Sequence, residues 1–170
     1  MRKLLAGILT VLVIGWGSAL AQQDPVVVEP VPPTQYFAGG GLGFTSFVFG
    51  LHGHFGVRDV IAPNIDVRGD LGIGFLGFAT VFGIGANVLF NFDIDPEIPL
   101  NGYAGGGPRV FVVTAADVSG AGFGLGLLGG AEFRVNPDIG IFGELGFDFG
   151  FGAGAVGFAP AIRAGANFHF

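Results

Sequence analysis

The chain has no cysteine, and its only lysine is Lys3. Without cysteine no disulfide can brace it and no thiolate can hold a metal, so stability must come from packing and from backbone hydrogen bonds. Charge is scarce as well, at 12% of residues with a formal net charge of −6, and no nucleic-acid partner is expected of so acidic a chain. Tryptophan occurs once and tyrosine twice against 20 phenylalanines. Disorder is excluded by a hydrophobic content of 51%, and collagen by the lack of a strict period among the 34 glycines. A length of 170 residues fits one domain, and the bulk composition points to lipid.

Residues 1–21 start Met-Arg-Lys, run through apolar residues from Leu4 to Ile14 and reach Ala19-Leu20-Ala21 before Gln22. A basic start, a short apolar core and an A-x-A site predict a secretory signal peptide rather than an anchor. Its removal would take Arg2, Lys3 and Trp16 away and leave five arginines against 13 acidic residues. Residues 22–35 contain Pro25, Pro30, Pro32 and Pro33 and read as an extended periplasmic linker.

The remainder, 36–170, alternates. Counting back by twos from the C-terminus gives Phe170, Phe168, Ala166, Ala164, Ile162, Pro160 and Phe158 on one face. The other face has His169, Asn167, Gly165, Arg163, Ala161 and Ala159, so every polar group lies on one side. Such alternation marks a strand whose two faces see different surroundings, and about 9 to 11 tilted residues cross a hydrocarbon core. Similar stretches occur at 36–45, 47–58, 64–75, 79–91, 100–113, 122–135, 138–149 and 158–170, which predicts eight strands. An even number returns both ends of a barrel to one side. The turns Ala62-Pro63-Asn64, Asp95-Pro96-Glu97 and Asn136-Pro137-Asp138 are assigned to the periplasm. The breaks near Ser46, Gly77, Thr114 to Gly120 and Gly150 to Gly157 are assigned to the outside.

A bundle of membrane helices is the rival, because Leu71 to Phe92 is a long run without charge. Within it Gly72, Gly74, Gly83 and Gly85 alternate with Leu71, Ile73, Phe82, Ile84 and Ala86, a period of two that a helix does not use. Asp66, Arg68 and Asp70 also fall on alternate positions that no single helix face contains. The predicted fold is therefore all-β, an eight-stranded antiparallel up-and-down transmembrane β-barrel.

Setting each strand by its apolar face turns Arg58, Arg68, Arg109, Arg134 and Arg163 inward, together with Asp66, Asp70, Glu132, Glu144 and Asp148. Five of each sign make a neutral set, expected to form a lumenal ion-pair network in a barrel just wide enough for side chains to fill. The alternative is a relay for protons or ions. His52, His54 and His169 are inward too, and are expected to be hydrogen-bonded core histidines, since their spacing suits no metal. Asp93, Asp95 and Glu97 read as a solvated acidic turn. Ser46 and Ser119 lie in expected outer loops while His52 and His54 point inward, so no catalytic triad assembles and no enzyme is expected. No cofactor is called for.

The inward residues also change along the strands. Toward the periplasm stand Arg58, Asp66, Arg68, Asn87, Asn91, Glu132, Arg134, Asn167 and His169, and toward the outside mostly glycine, with Phe111 and Asp148 among the few larger residues. A plugged inner half and a hollow outer half follow, unless the glycines serve only to admit large neighbours.

The alternating strands, the run Asn136-Pro137-Asp138-Ile139-Gly140-Ile141-Phe142-Gly143-Glu144-Leu145-Gly146 and the terminal Phe170 resemble the small eight-stranded outer-membrane barrels of the OmpA and OmpX kind. The resemblance implies a bacterial outer-membrane location, outer-membrane lipid as surroundings and the barrel-insertion machinery as an assembly partner. Phe168 and Phe170 would then form the insertion signal. The expected function is a structural, envelope-integrity barrel with a charge-plugged lumen, with a narrow porin-like channel or a small-ligand-binding barrel as the alternative. The outer breaks contain no basic residue, which predicts little affinity for the phosphates of lipopolysaccharide. Partners, ligands and oligomeric state are not legible in the sequence.

Overall fold

The computed structural model describes residues 35–170 apart from 47, 96, 116–117 and 153–154. The predicted signal peptide and all of the linker but Gln35 lie outside the described residues. Eight strands follow in order: β1 (Tyr36–Thr45), β2 (Val48–Val57), β3 (Ile65–Leu76), β4 (Ala79–Asp95), β5 (Leu100–Ala115), β6 (Val118–Asn136), β7 (Ile139–Gly152) and β8 (Ala155–His169). Each pairs antiparallel with the next, and β1 pairs with β8, closing the barrel. No helix of the described residues is long and apolar enough to cross a membrane.

Closure follows from the register at the seam. Phe37 to Thr45 pair residue for residue with His169 back to Ala161. The Tyr36 amide donates to the Phe170 carbonyl at 2.9 Å and the Phe170 amide returns a bond to Tyr36 at 3.0 Å. Outside the seam the rings of Tyr36, Phe55 and Phe170 gather, with Tyr36 stacked 6.1 Å from Phe170. Inward Gly41 and Gly165 face each other across it, and a Cβ on either would strike the opposing backbone.

The two ends of the barrel differ. One end holds Phe170 and three connections, at 58–64, 96–99 and 137–138, whose local chemistry is polar. Asn136 Oδ1 accepts from the amides of Asp138 (2.9 Å) and Ile139 (2.8 Å), and Asp59 Oδ1 accepts from the Asn64 amide at 2.7 Å. The register slips beside two of these turns, between Asp93 and Asp95 and between Arg134 and Asn136. The opposite end has four connections of two residues each, at 46–47, 77–78, 116–117 and 153–154. Gly77, at φ 57°, supplies the left-handed backbone that a tight hairpin needs. The last two of these hairpins are shorter than the sequence predicted. Val118 pairs with Ala115 and Ala155 with Gly152, because a backbone ladder runs through small residues as readily as through large ones. Ser119 consequently lies in β6 rather than in a loop.

Burial is inverted relative to a water-soluble domain. Among the described residues, the buried ones other than glycine comprise eight polar or charged side chains and six hydrophobic ones, while Leu42, Leu51, Leu71, Phe82, Ile84 and Leu145 stand about half exposed on the outside. A soluble protein would hide the second group and solvate the first. An apolar exterior on strands of 10 to 19 residues suits hydrocarbon, where only a closed ladder satisfies the backbone.

Candidate functional site

The lumen holds all ten charged residues predicted to face it, and every one of them stands within ion-pair distance of an opposite charge. At the centre, Arg68 on β3 donates from Nη1 to Glu144 Oε2 on β7 at 2.8 Å, and its Nε lies 3.0 Å from Asp70 Oδ1. Glu144 is held from the other side by Arg163 on β8, Nη1 to Oε1 at 2.9 Å. Arg163 also reaches Asp148 at 3.7 Å, and Asp148 sits 2.7 Å from Arg109 Nε on β5. Nearer the end that bears Phe170, Arg134 Nε is 2.7 Å from Glu132 Oε1, and Arg58 Nε is 3.7 Å from Asp66 Oδ2.

Uncharged groups complete the set. Asn87 donates from Nδ2 to Asp70, and Asn167 donates from Nδ2 to Glu132. With its amide nitrogen so engaged, Asn167 presents Oδ1 to His54 Nε2 at 2.7 Å, so His54 carries its proton on Nε2. His169 Nε2 lies 2.8 Å from Glu132 Oε1. His54 and His169 are thus hydrogen-bonded core histidines. His52 departs from that expectation, for among the described residues neither of its ring nitrogens meets a partner. It packs instead edge-on against Phe142, at 5.7 Å between ring centroids.

Three aromatic residues also belong to this interior. Tyr103 is buried, with its hydroxyl 3.4 Å from Glu144 Oε2 and its ring 6.0 Å from Arg68 Cζ. Phe142 sits beside both His52 and His54, and Phe37 beside His54 and His169. The signal was parity: Tyr103 is six residues from Arg109 and Phe142 two from Glu144, even steps that keep them on the inward face.

Empty space is divided unevenly. On the side of the two-residue hairpins a cavity of about 450 Å³ opens, lined by inward glycines with Val48, Val81 and Phe111 and ending on Asp70, Arg109, Asp148 and Arg163. At the other end a cavity of about 30 Å³ lies between Phe37, Arg58, Asp66, Tyr103, Glu132 and His169. Some glycines do serve large neighbours. Gly56 lies under the Phe37 ring and Gly130 under the Tyr103 hydroxyl, where a Cβ would collide. Gly83 by contrast has nothing within 4 Å of where its Cβ would be. No group of three or more His, Asp or Glu side chains among the described residues could hold a metal ion.

A closed eight-stranded antiparallel barrel with an apolar outside and a charged inside is the fold of the small outer-membrane barrels, the OmpA and OmpX kind. Solved structures bear this out. The barrel is similar to Neisserial surface protein A (18% identity, TM-score 0.62, covering 81% of this chain and 96% of that one). It is also similar to a major outer membrane protein from Thermus thermophilus (18% identity, TM-score 0.64, 81% and 100% covered). A third likeness is to the N-terminal β-barrel domain of Pseudomonas aeruginosa OprF (13% identity, TM-score 0.60, 80% and 97% covered). No protein-family model matches the chain, and no curated protein sequence does.

Proposed function

We propose that this protein is a non-enzymatic bacterial outer-membrane barrel that serves envelope integrity and whose lumen is closed by its own charges. The observation that carries the reading is the chain Arg68, Glu144, Arg163, Asp148 and Arg109, which links β3, β7, β8 and β5 through the middle of the lumen. Ions crossing the barrel would have to break pairs that are mostly buried, and an unpaired charge there costs several kcal/mol, roughly. Neighbouring pairs hold one another's geometry, which disfavours a relay. The assignment as a non-enzyme is supported by the histidines, since the two that make hydrogen bonds pair with Asn167 and Glu132 rather than with a hydroxyl nucleophile.

In this reading the leader over 1–21 exports the chain, the linker over 22–35 lies in the periplasm, and the hairpin end faces outside. The apolar exterior contacts outer-membrane lipid, and the insertion machinery reads Phe168 and Phe170. The test is conductance of the purified protein in a planar bilayer. No steady current is expected, and a sustained open level would remove the closed-lumen reading.

A further inference from the structure

The hairpin-end cavity has the properties of a binding site for a small molecule. Its volume of about 450 Å³ falls within the range of roughly 300–1,000 Å³ typical of small-ligand pockets. Its shape has a definite cause. The Phe111 ring does not lie across the lumen but folds back over Gly122 and Gly150, against β6 and β7. Beside it, Gly83 pairs with Phe111 across β4 and β5 and with Gly72 across β3 and β4, and both glycines present bare backbone. The ring leans away from Gly83, and the space left beside it is bounded by an aromatic side chain and side-chain-free backbone. The strands beside the mouth are joined by connections of only two residues.

The chemistry of the lining selects the ligand. The walls are mostly Phe111, Val48, Val81 and glycine, with Thr45, Ser46 and His52 as their polar members, and they offer mainly dispersion contacts that favour an apolar occupant. The floor is polar and electrically balanced, with Arg109 and Arg163 against Asp70 and Asp148. Asp148 is the most open of its ion-paired groups, its side chain 24% exposed against 14% for Arg109 and 12% for Arg163. A ligand anion would face that carboxylate, and a ligand cation would compete with arginines already in place. An uncharged hydrogen-bond donor meets neither penalty.

We infer that this cavity binds an uncharged, mainly apolar small molecule, flat enough to lie against Phe111, whose single hydroxyl donates to Asp148. The ligand enters and leaves by the outer end. That the floor is blind rests on the closed-lumen reading, whereas the cavity and its walls do not.

The experiment is equilibrium dialysis of 2-naphthol, naphthalene and 2-naphthoate against the purified barrel in lipid nanodiscs, with empty nanodiscs as the blank. For 2-naphthol, saturable one-to-one binding is expected. Relative to the lipid blank it should be about tenfold tighter than that of naphthalene, as one hydrogen bond to a charged group provides, and naphthoate should not bind. Gly83→Phe fills the space from a position with room for a side chain and should abolish binding, while the barrel still migrates as the folded, heat-modifiable form on a gel. Binding confined to the blank, or unchanged in Gly83→Phe, would overturn the site. Equal affinity for naphthalene, or binding of naphthoate, would overturn the assigned hydroxyl contact. Conductance is recorded on the same preparations, so a leaking floor registers as current and an absent site as lost binding.

Discussion

Arg68 and Glu144 meet across the full width of the barrel, Nη1 to Oε2 at 2.8 Å, although their strands, β3 and β7, stand half the circumference apart. Both are buried, and Glu144 takes a second guanidinium from Arg163. Three predictions concern this junction and the seam that encloses it.

Glu144→Gln leaves two arginines with one fewer carboxylate at the most enclosed point of the lumen. Breaking a buried pair from one side costs about 3–5 kcal/mol. Urea-induced unfolding of the barrel in lipid vesicles should show a loss of that size. The double variant Arg68→Met with Glu144→Gln should lose less than the two single losses combined. Strict additivity would mean that the pair does not act as a unit.

Removal of Phe170 takes away both backbone bonds to Tyr36 and one ring of the cluster outside the seam. Pulse-labelled cells should accumulate less folded barrel from the truncated gene, with the unfolded precursor rising to match. Insertion at the full-length level would dismiss Phe170 as an assembly determinant.

Gly41→Ala puts a methyl group against the carbonyl of Ala164 on the closing strand, and backbone cannot step aside as a side-chain tip can. Gly143→Ala, whose added Cβ meets nothing within 4 Å, is the matched control. The first substitution should lower the folded fraction several-fold in refolding from urea and the second should leave it unchanged. Equal behaviour would show that the seam is looser than its register implies.

Much of this architecture was legible because a barrel in lipid enforces a single rule on every strand. The run from Phe158 to Phe170 exposes its face by twos, and the same parity placed Arg68, Glu144 and the other charges inward. Which arginine meets which carboxylate was not legible. Arg68 and Asp70 are two residues apart, but the contact of Arg68 with Glu144 depends on the stagger of β3 against β7 around a closed circle, which local pattern does not encode. The contacts of Tyr103, Phe142 and Phe37 escaped likewise, since parity turns these rings inward but does not say which charges and histidines they pack among. The lengths of the hairpins at 116–117 and 153–154 escaped because glycine and alanine carry a strand ladder without the side-chain pattern that announces one.

The crossing of Arg68 to Glu144 also bears on kinetics. Laid out as a flat sheet, β3 and β7 would be separated by four strand spacings, roughly 19 Å, beyond the reach of any salt bridge. The contact therefore needs the sheet to curl as it does in the closed barrel. A stabilising interaction made after the transition state slows unfolding without hastening folding. Where closure follows the barrier, the charges act as a latch: they set how long a finished barrel lasts and leave the speed of its assembly to the apolar face and the seam.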